Sequence, residues 1–203
     1  MKFKWTALFA LGFALFAAVP TMAQTGIYSE FNATDIQSAG EPWMYGVTFG
    51  TYFDKHFSQH IPNMTLGPDF RLALQSGSNS AYSGGPAQSL ISILLGPRLA
   101  FKLPVVPIHP YIEGLIGGSD SQIGELIPDG YQTSANTPRG TAINKNGGGT
   151  MEGHVLGGLD MKISKHLDWR MVEFNYGKLF LSAGGTPDYG LTTLSTGFVV
   201  RLP

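Results

Sequence analysis

Residues 64–75 alternate with a period of two. Met64, Leu66, Pro68, Phe70, Leu72 and Leu74 fall on one phase, and Thr65, Gly67, Asp69, Arg71, Ala73 and Gln75 on the other. Successive side chains of a strand point to opposite faces, so this pattern predicts a long β-strand with one apolar and one polar face. Residues 91–103 repeat it, with Ile91, Ile93, Leu95, Leu99 and Phe101 opposite Ser92, Gly96, Arg98 and Lys102. Residues 151–163 set Met151, Val155, Leu159 and Met161 against Glu152, His154, Gly158 and Asp160. At the C-terminal end Leu194, Thr196, Phe198, Val200 and Leu202 alternate with Ser195, Gly197, Val199 and Arg201.

Residues 26–34, 43–53, 110–118 and 167–181 alternate less regularly and complete a set of eight strands. In the last of these, Asp168 and Arg170 share one phase while Glu173 and Asn175 share the other. An extra residue near Met171–Val172, a β-bulge, would bring all four to one face. The predicted strands run to about 9–15 residues, against about 5–6 for an ordinary globular strand. That is the length a tilted strand needs to cross a bilayer.

The connections alternate in length. Residues 34–42, 76–89, 119–150 and 182–190 form one set, rich in Gly, Ser, Asn and Asp; residues 54–63, 104–109 and 164–166 form a mostly shorter one. Short turns at one end and solvated loops at the other describe a transmembrane barrel. An even strand number puts both termini at the short-turn end. Ahead of the strands, Lys2 and Lys4 precede an apolar run at residues 7–19 and a small-residue site ending at Ala23. That arrangement fits a secretory signal. The expected organisation is a signal peptide at 1–23 and a transmembrane barrel at 24–203. Losing Lys2 and Lys4 with the signal leaves a net charge of −3.

Composition narrows the choice of face. The 203 residues include 27 Gly and 13 Pro but only 13% charged residues, which disfavours a helical bundle. Thirteen Lys and Arg against 14 Asp and Glu leave no basic excess for nucleic acid. There is no cysteine, so no disulfide framework. The polar faces carry single charges among small residues, too few for a soluble exterior. They suit the narrow interior of an eight-stranded barrel. Arg71, Arg98, Arg170 and Arg201 are expected to pair across that lumen with Asp69, Glu113, Glu152, Asp160 and Glu173. Trp43, Tyr45, Tyr52, Phe53, Trp169, Tyr176 and Phe180 lie towards strand ends, where interfacial aromatic girdles form.

Gly157-Gly158-Leu159-Asp160-Met161-Lys162-Ile163-Ser164, then Leu167-Asp168-Trp169-Arg170 and Glu173-Phe174-Asn175-Tyr176, resembles the penultimate hairpin of the small OmpA/OmpX-like "porin family" of outer-membrane β-barrel proteins. The tail around Gly197, Phe198, Val200 and Leu202 resembles that family's C-terminal signal for the barrel-assembly machinery, although it ends in Leu202-Pro203 rather than an aromatic. The resemblance implies a monomeric eight-stranded antiparallel up-and-down barrel in the bacterial outer membrane, with outer-membrane lipid and the assembly machinery as partners. It implies no single activity.

Candidate chemistry is sparse. Outer-membrane lipid A deacylases use a His-x-Ser pair, which His56-Phe57-Ser58 matches, but Gln59-His60-Ile61-Pro62 follows in place of their Asn and Gly. The strand pattern also puts His56, His60, His109 and His166 in turns, and His154 in the lumen. Gly147-Gly148-Gly149 lacks the Lys-Ser/Thr of a phosphate loop. The expectation is therefore no catalytic, metal or cofactor site, and a structural or surface-interaction barrel working through its long loops, for a surface ligand the sequence does not name. A narrow channel is the alternative, and a lipid-modifying enzyme a further one.

Overall fold

The computed structural model describes residues 24–36, 43–58, 61–77, 88–125, 144–180 and 189–202. The expected signal peptide lies outside the described residues. Eight strands follow in chain order: β1 (Gln24–Ile36), β2 (Met44–Ser58), β3 (Ile61–Gly77), β4 (Gln88–Phe101), β5 (Ile108–Glu125), β6 (Asn144–Lys162), β7 (Leu167–Phe180) and β8 (Tyr189–Leu202). Each pairs antiparallel with the next, and β8 returns to β1 through pairs such as Phe31–Thr196 and Thr34–Thr193. The sheet is closed, so no strand edge is left along the wall.

The two phases sort as the alternation predicts. Apolar side chains such as Ile27, Phe49, Phe70, Ile91, Leu95, Ile116, Val155 and Phe198 point outward and are exposed. The charged phase is buried inside. Such a molecule is inside-out relative to a water-soluble protein: its apolar surface faces the surroundings and its ion pairs form the core.

The parity break in β7 is a bulge. Leu159 opposes Val172 and Asp160 opposes Arg170, so Met171 is the unpaired extra residue. It puts Asp168, Arg170, Glu173 and Asn175 all inside, where all four are buried.

Strand ends depart from the alternation. β2 and β3 run through the expected 54–63 turn to Ser58 and from Ile61. β5 and β6 continue into the expected 119–150 loop, to Glu125 and from Asn144. Ladder hydrogen bonds persist once a hairpin is in register. The apolar phase is needed only where the wall faces an apolar medium, so the pattern stops before the strand does. His56 and His109 accordingly sit on β2 and β5 rather than in turns, His166 lies in the turn before β7, and His60 is outside the described residues.

Several inward glycines sit where a side chain has no room. A Cβ at Gly46, Gly96, Gly117 or Gly197 would run into the neighbouring strand's carbonyl at Leu74, Gly114, Ile93 or Ser29. A narrow barrel coils its strands tightly and brings their backbones together on the inside.

Candidate functional site

Three arginines and three acids form a closed ring in the middle of the lumen. Arg71 Nη2 donates to Glu113 Oε2 at 2.6 Å, and Arg98 Nη1 donates to Glu113 Oε1 at 2.7 Å. Arg98 Nη2 reaches Asp160 Oδ2 at 2.9 Å, and Arg170 Nε reaches Asp160 Oδ1 at 2.9 Å. Glu173 completes the circuit: Arg170 Nη1 lies 3.4 Å from Oε2, and Arg71 Nη1 donates to Oε1 at 2.5 Å. Asp69 takes a further bond from Arg71 Nε at 3.1 Å, and Glu30 pairs with Arg170. Every arginine thus has at least two carboxylate partners. That is the condition under which buried charges are tolerated.

Tyrosines hold the guanidinium groups in place. The Arg98 guanidinium carbon lies 4.2 Å from the Tyr52 ring centroid and 3.8 Å from that of Tyr111. Arg170 lies 4.3 Å from Tyr28 and 4.7 Å from Tyr111. The hydroxyls join the network, with Tyr28 donating to Asp69 Oδ1 at 2.7 Å and Tyr111 to Glu173 Oε2 at 2.6 Å. Each ring occupies space that a glycine leaves open in its register partner: Tyr28 at Gly50, Tyr52 at Gly26 and Tyr111 at Gly158. The cluster draws on every strand from β1 to β7.

Of the expected lumen residues, Asp69, Arg71, Arg98, Glu113, Asp160, Arg170 and Glu173 meet in this cluster. Two do not. Arg201 lies nearer the turn end, paired with Asp168 and 2.8 Å from His109 Nδ1. Glu152 lies nearer the loop end, where His154 Nε2 is 3.4 Å from its Oε2 and His154 Nδ1 is 2.9 Å from Asn175 Oδ1. Both departures follow from the stagger of a tilted strand, which sets residues of one phase at different heights. Glu30, Asp54 and Asp168 also line the lumen, inward by parity; Asp168 shares the face of Arg170 as the bulge predicts, while Glu30 and Asp54 lie outside the expected charge network. Tyr52 is only 1% exposed and belongs to the lumen, not to the aromatic girdle. Trp43, Tyr45, Trp169, Tyr176 and Phe180 are exposed on the outside.

The loop-side end of the lumen is closed differently. Ile36, Met44, Leu90, Leu179 and Leu191 form a buried apolar cluster at the loop ends of β1, β2, β4, β7 and β8. Between this stopper and the arginine ring lies a polar layer in which Asn32 donates to Thr48 at 2.6 Å and the Thr34 and Thr193 hydroxyls meet at 2.8 Å. The cavity there is about 20 Å³, room for about one water molecule. Among the described residues no group of three or more His, Cys, Asp or Glu is arranged to hold a metal ion. In the tail motif Phe198, Val200 and Leu202 point outward, and Gly197 is the inward residue against Ser29.

No family model and no curated protein matches the chain. Solved structures do. Neisserial surface protein A (NspA) superposes with a TM-score of 0.55 at 12% identity, covering 89% of this chain and 97% of that one. The outer membrane enzyme PagL gives 0.53 at 14% identity, covering 86% and 98%. Ail, the attachment invasion locus protein of Yersinia pestis, gives 0.50 at 11%, covering 89% and 99%. At these identities the likeness is one of fold: a small eight-stranded barrel.

Proposed function

We propose that this chain is a monomeric bacterial outer-membrane barrel with a sealed lumen and periplasmic termini. It acts through the connections at its loop end, in a structural or surface-interaction role. The observation that carries this reading is the closed Arg71–Glu113–Arg98–Asp160–Arg170–Glu173 ring. It fills the cross-section with charges that already have partners, and the apolar cluster at Leu179 and Leu191 sits above it. A solute would have to break both. With the wall facing lipid and the interior filled, residues 37–42, 78–87, 126–143 and 181–188 are the part left to meet a partner. Assembly would use the tail, where Phe198, Val200 and Leu202 present an apolar stripe to the assembly machinery.

The channel reading has the ring against it. The enzyme reading rests on likeness of fold to PagL, and His56 of the His-x-Ser segment is exposed at the turn end of β2. An epitope inserted within 126–143 tests the placement. It should be reached by antibody on intact cells, with the protein in the membrane fraction and its gel mobility changed by heating. A mature protein wholly soluble in the periplasm overturns the reading, and altered lipid A masses on expression would overturn the non-catalytic part.

A further inference from the structure

The charged residues outside the lumen are sorted by end. At the turn end Lys55 and Lys165 are exposed on the outside, while Lys162, on the inward phase with Asp160 and opposite Asp168, is exposed at the mouth of the lumen. Among the described residues no acidic side chain is exposed there: Asp54 and Asp168 turn inward and are 8% and 0% exposed. The loop-end strand termini and the segments joining them carry six acidic residues, Asp35, Glu41, Asp120, Glu125, Asp129 and Asp188, against three basic ones.

The lysines lie among exposed apolar side chains. Leu103, Val106 and Ile163 are exposed in the turns, and Val105 is 90% exposed. A turn fully surrounded by water gains nothing from Pro104-Val105-Val106-Pro107. At a bilayer surface, apolar side chains enter the acyl boundary while ammonium groups stay level with phosphates. The spacing points the same way. Lys55 is on β2, whereas Lys165 is in the β6–β7 turn, on the opposite side of the closed barrel. A compact ligand on one side cannot touch both. A surrounding annulus of lipid can.

We propose that the turn end of the barrel is a docking rim for anionic phospholipid headgroups, engaged by Lys55 and Lys165. The proposal rests on the membrane-spanning reading above. It gives the barrel a preferred lipid on its periplasmic side and fixes its depth in the membrane.

The test places the full folded barrel in phosphatidylcholine vesicles doped with a minority of spin-labelled phosphatidylglycerol or, in parallel, spin-labelled phosphatidylcholine. The protein-contacting fraction of the anionic label should exceed that of the neutral one, by about fivefold for one engaged lysine at low salt. High salt should weaken the preference. The combined Lys55→Gln and Lys165→Gln variant should lose it while keeping its heat-modifiable gel shift. Equal contact of both labels with the wild-type barrel overturns the rim and leaves the membrane-spanning reading standing, and so does a preference unchanged in the double variant. A barrel that immobilises neither label fails the membrane-spanning reading, and the rim with it.

Discussion

Tyr111 on β5 lies over Gly158, its register partner on β6, and a Cβ at 158 would overlap the phenol ring. The same ring faces Arg98 and Arg170 and donates its hydroxyl to Glu173. One missing side chain therefore positions the group that lines up two arginines. Gly158→Val should destabilise the barrel by about 1–3 kcal/mol, the usual cost of overpacking a filled interior. Gly157→Val, one residue away on the outward face, should cost much less, since a Cβ there meets only ordinary contacts, the Tyr111 carbonyl at 3.5 Å being the nearest. Urea unfolding from vesicles separates the two.

Removing one member of the arginine ring leaves buried carboxylates facing each other. Arg170→Met should cost about 3–5 kcal/mol, because Glu30 loses its close partner, Asp160 keeps only Arg98, and both stay inside. Arg201→Met should cost less, since Arg201 lies at the turn end, 11% exposed, where water can reach it. Equal losses in the two variants would contradict the geometry.

The wall should behave as a lipid-facing surface. Ile116, 70% exposed at mid-strand, becomes a charge in lipid in the Ile116→Arg variant, at a cost of about 2–4 kcal/mol in vesicles. Asp120→Arg, on the same face but nearer the loops, should cost about 0–1 kcal/mol. A tolerated Ile116→Arg would mean that the wall faces water.

Met171 sets the parity of half a strand. Deleting it should expel Asp168 and Arg170 to the outer face and turn Leu167 and Trp169 inward, so the deletion variant should fail to fold. Met171→Ala keeps the backbone count and should fold. The heat-modifiable gel shift reports both.

How much of this was legible in the chain depends on the medium each residue faces. Strand number, phase and the bulge could be read because lipid demands an apolar side chain at every second position of the wall. The arginines and most of their acids could be read as the polar phase. Their grouping could not, because it depends on the stagger between strands: Glu152 and Arg201 share that phase yet sit above and below the ring. Tyr52 reads as a girdle residue because an aromatic near a strand end fits that role equally well, whereas Tyr28 and Tyr111 share the phase of Glu30 and Glu113, and alternation does not show that they stack on guanidinium groups. The apolar stopper was hidden for a similar reason. Ile36, Leu179 and Leu191 sit where the alternation fades, so nothing in their spacing marks them as inward.

A sealed role for the barrel stands or falls with the closure of its lumen. Purified, folded wild-type protein in a planar lipid bilayer tests it most directly. The bilayer should stay silent under applied voltage, with insertion confirmed by the gel shift of the same preparation. Discrete conductance steps from the wild-type barrel, abolished by Arg98→Ala, would contradict it and identify the lumen as a pathway.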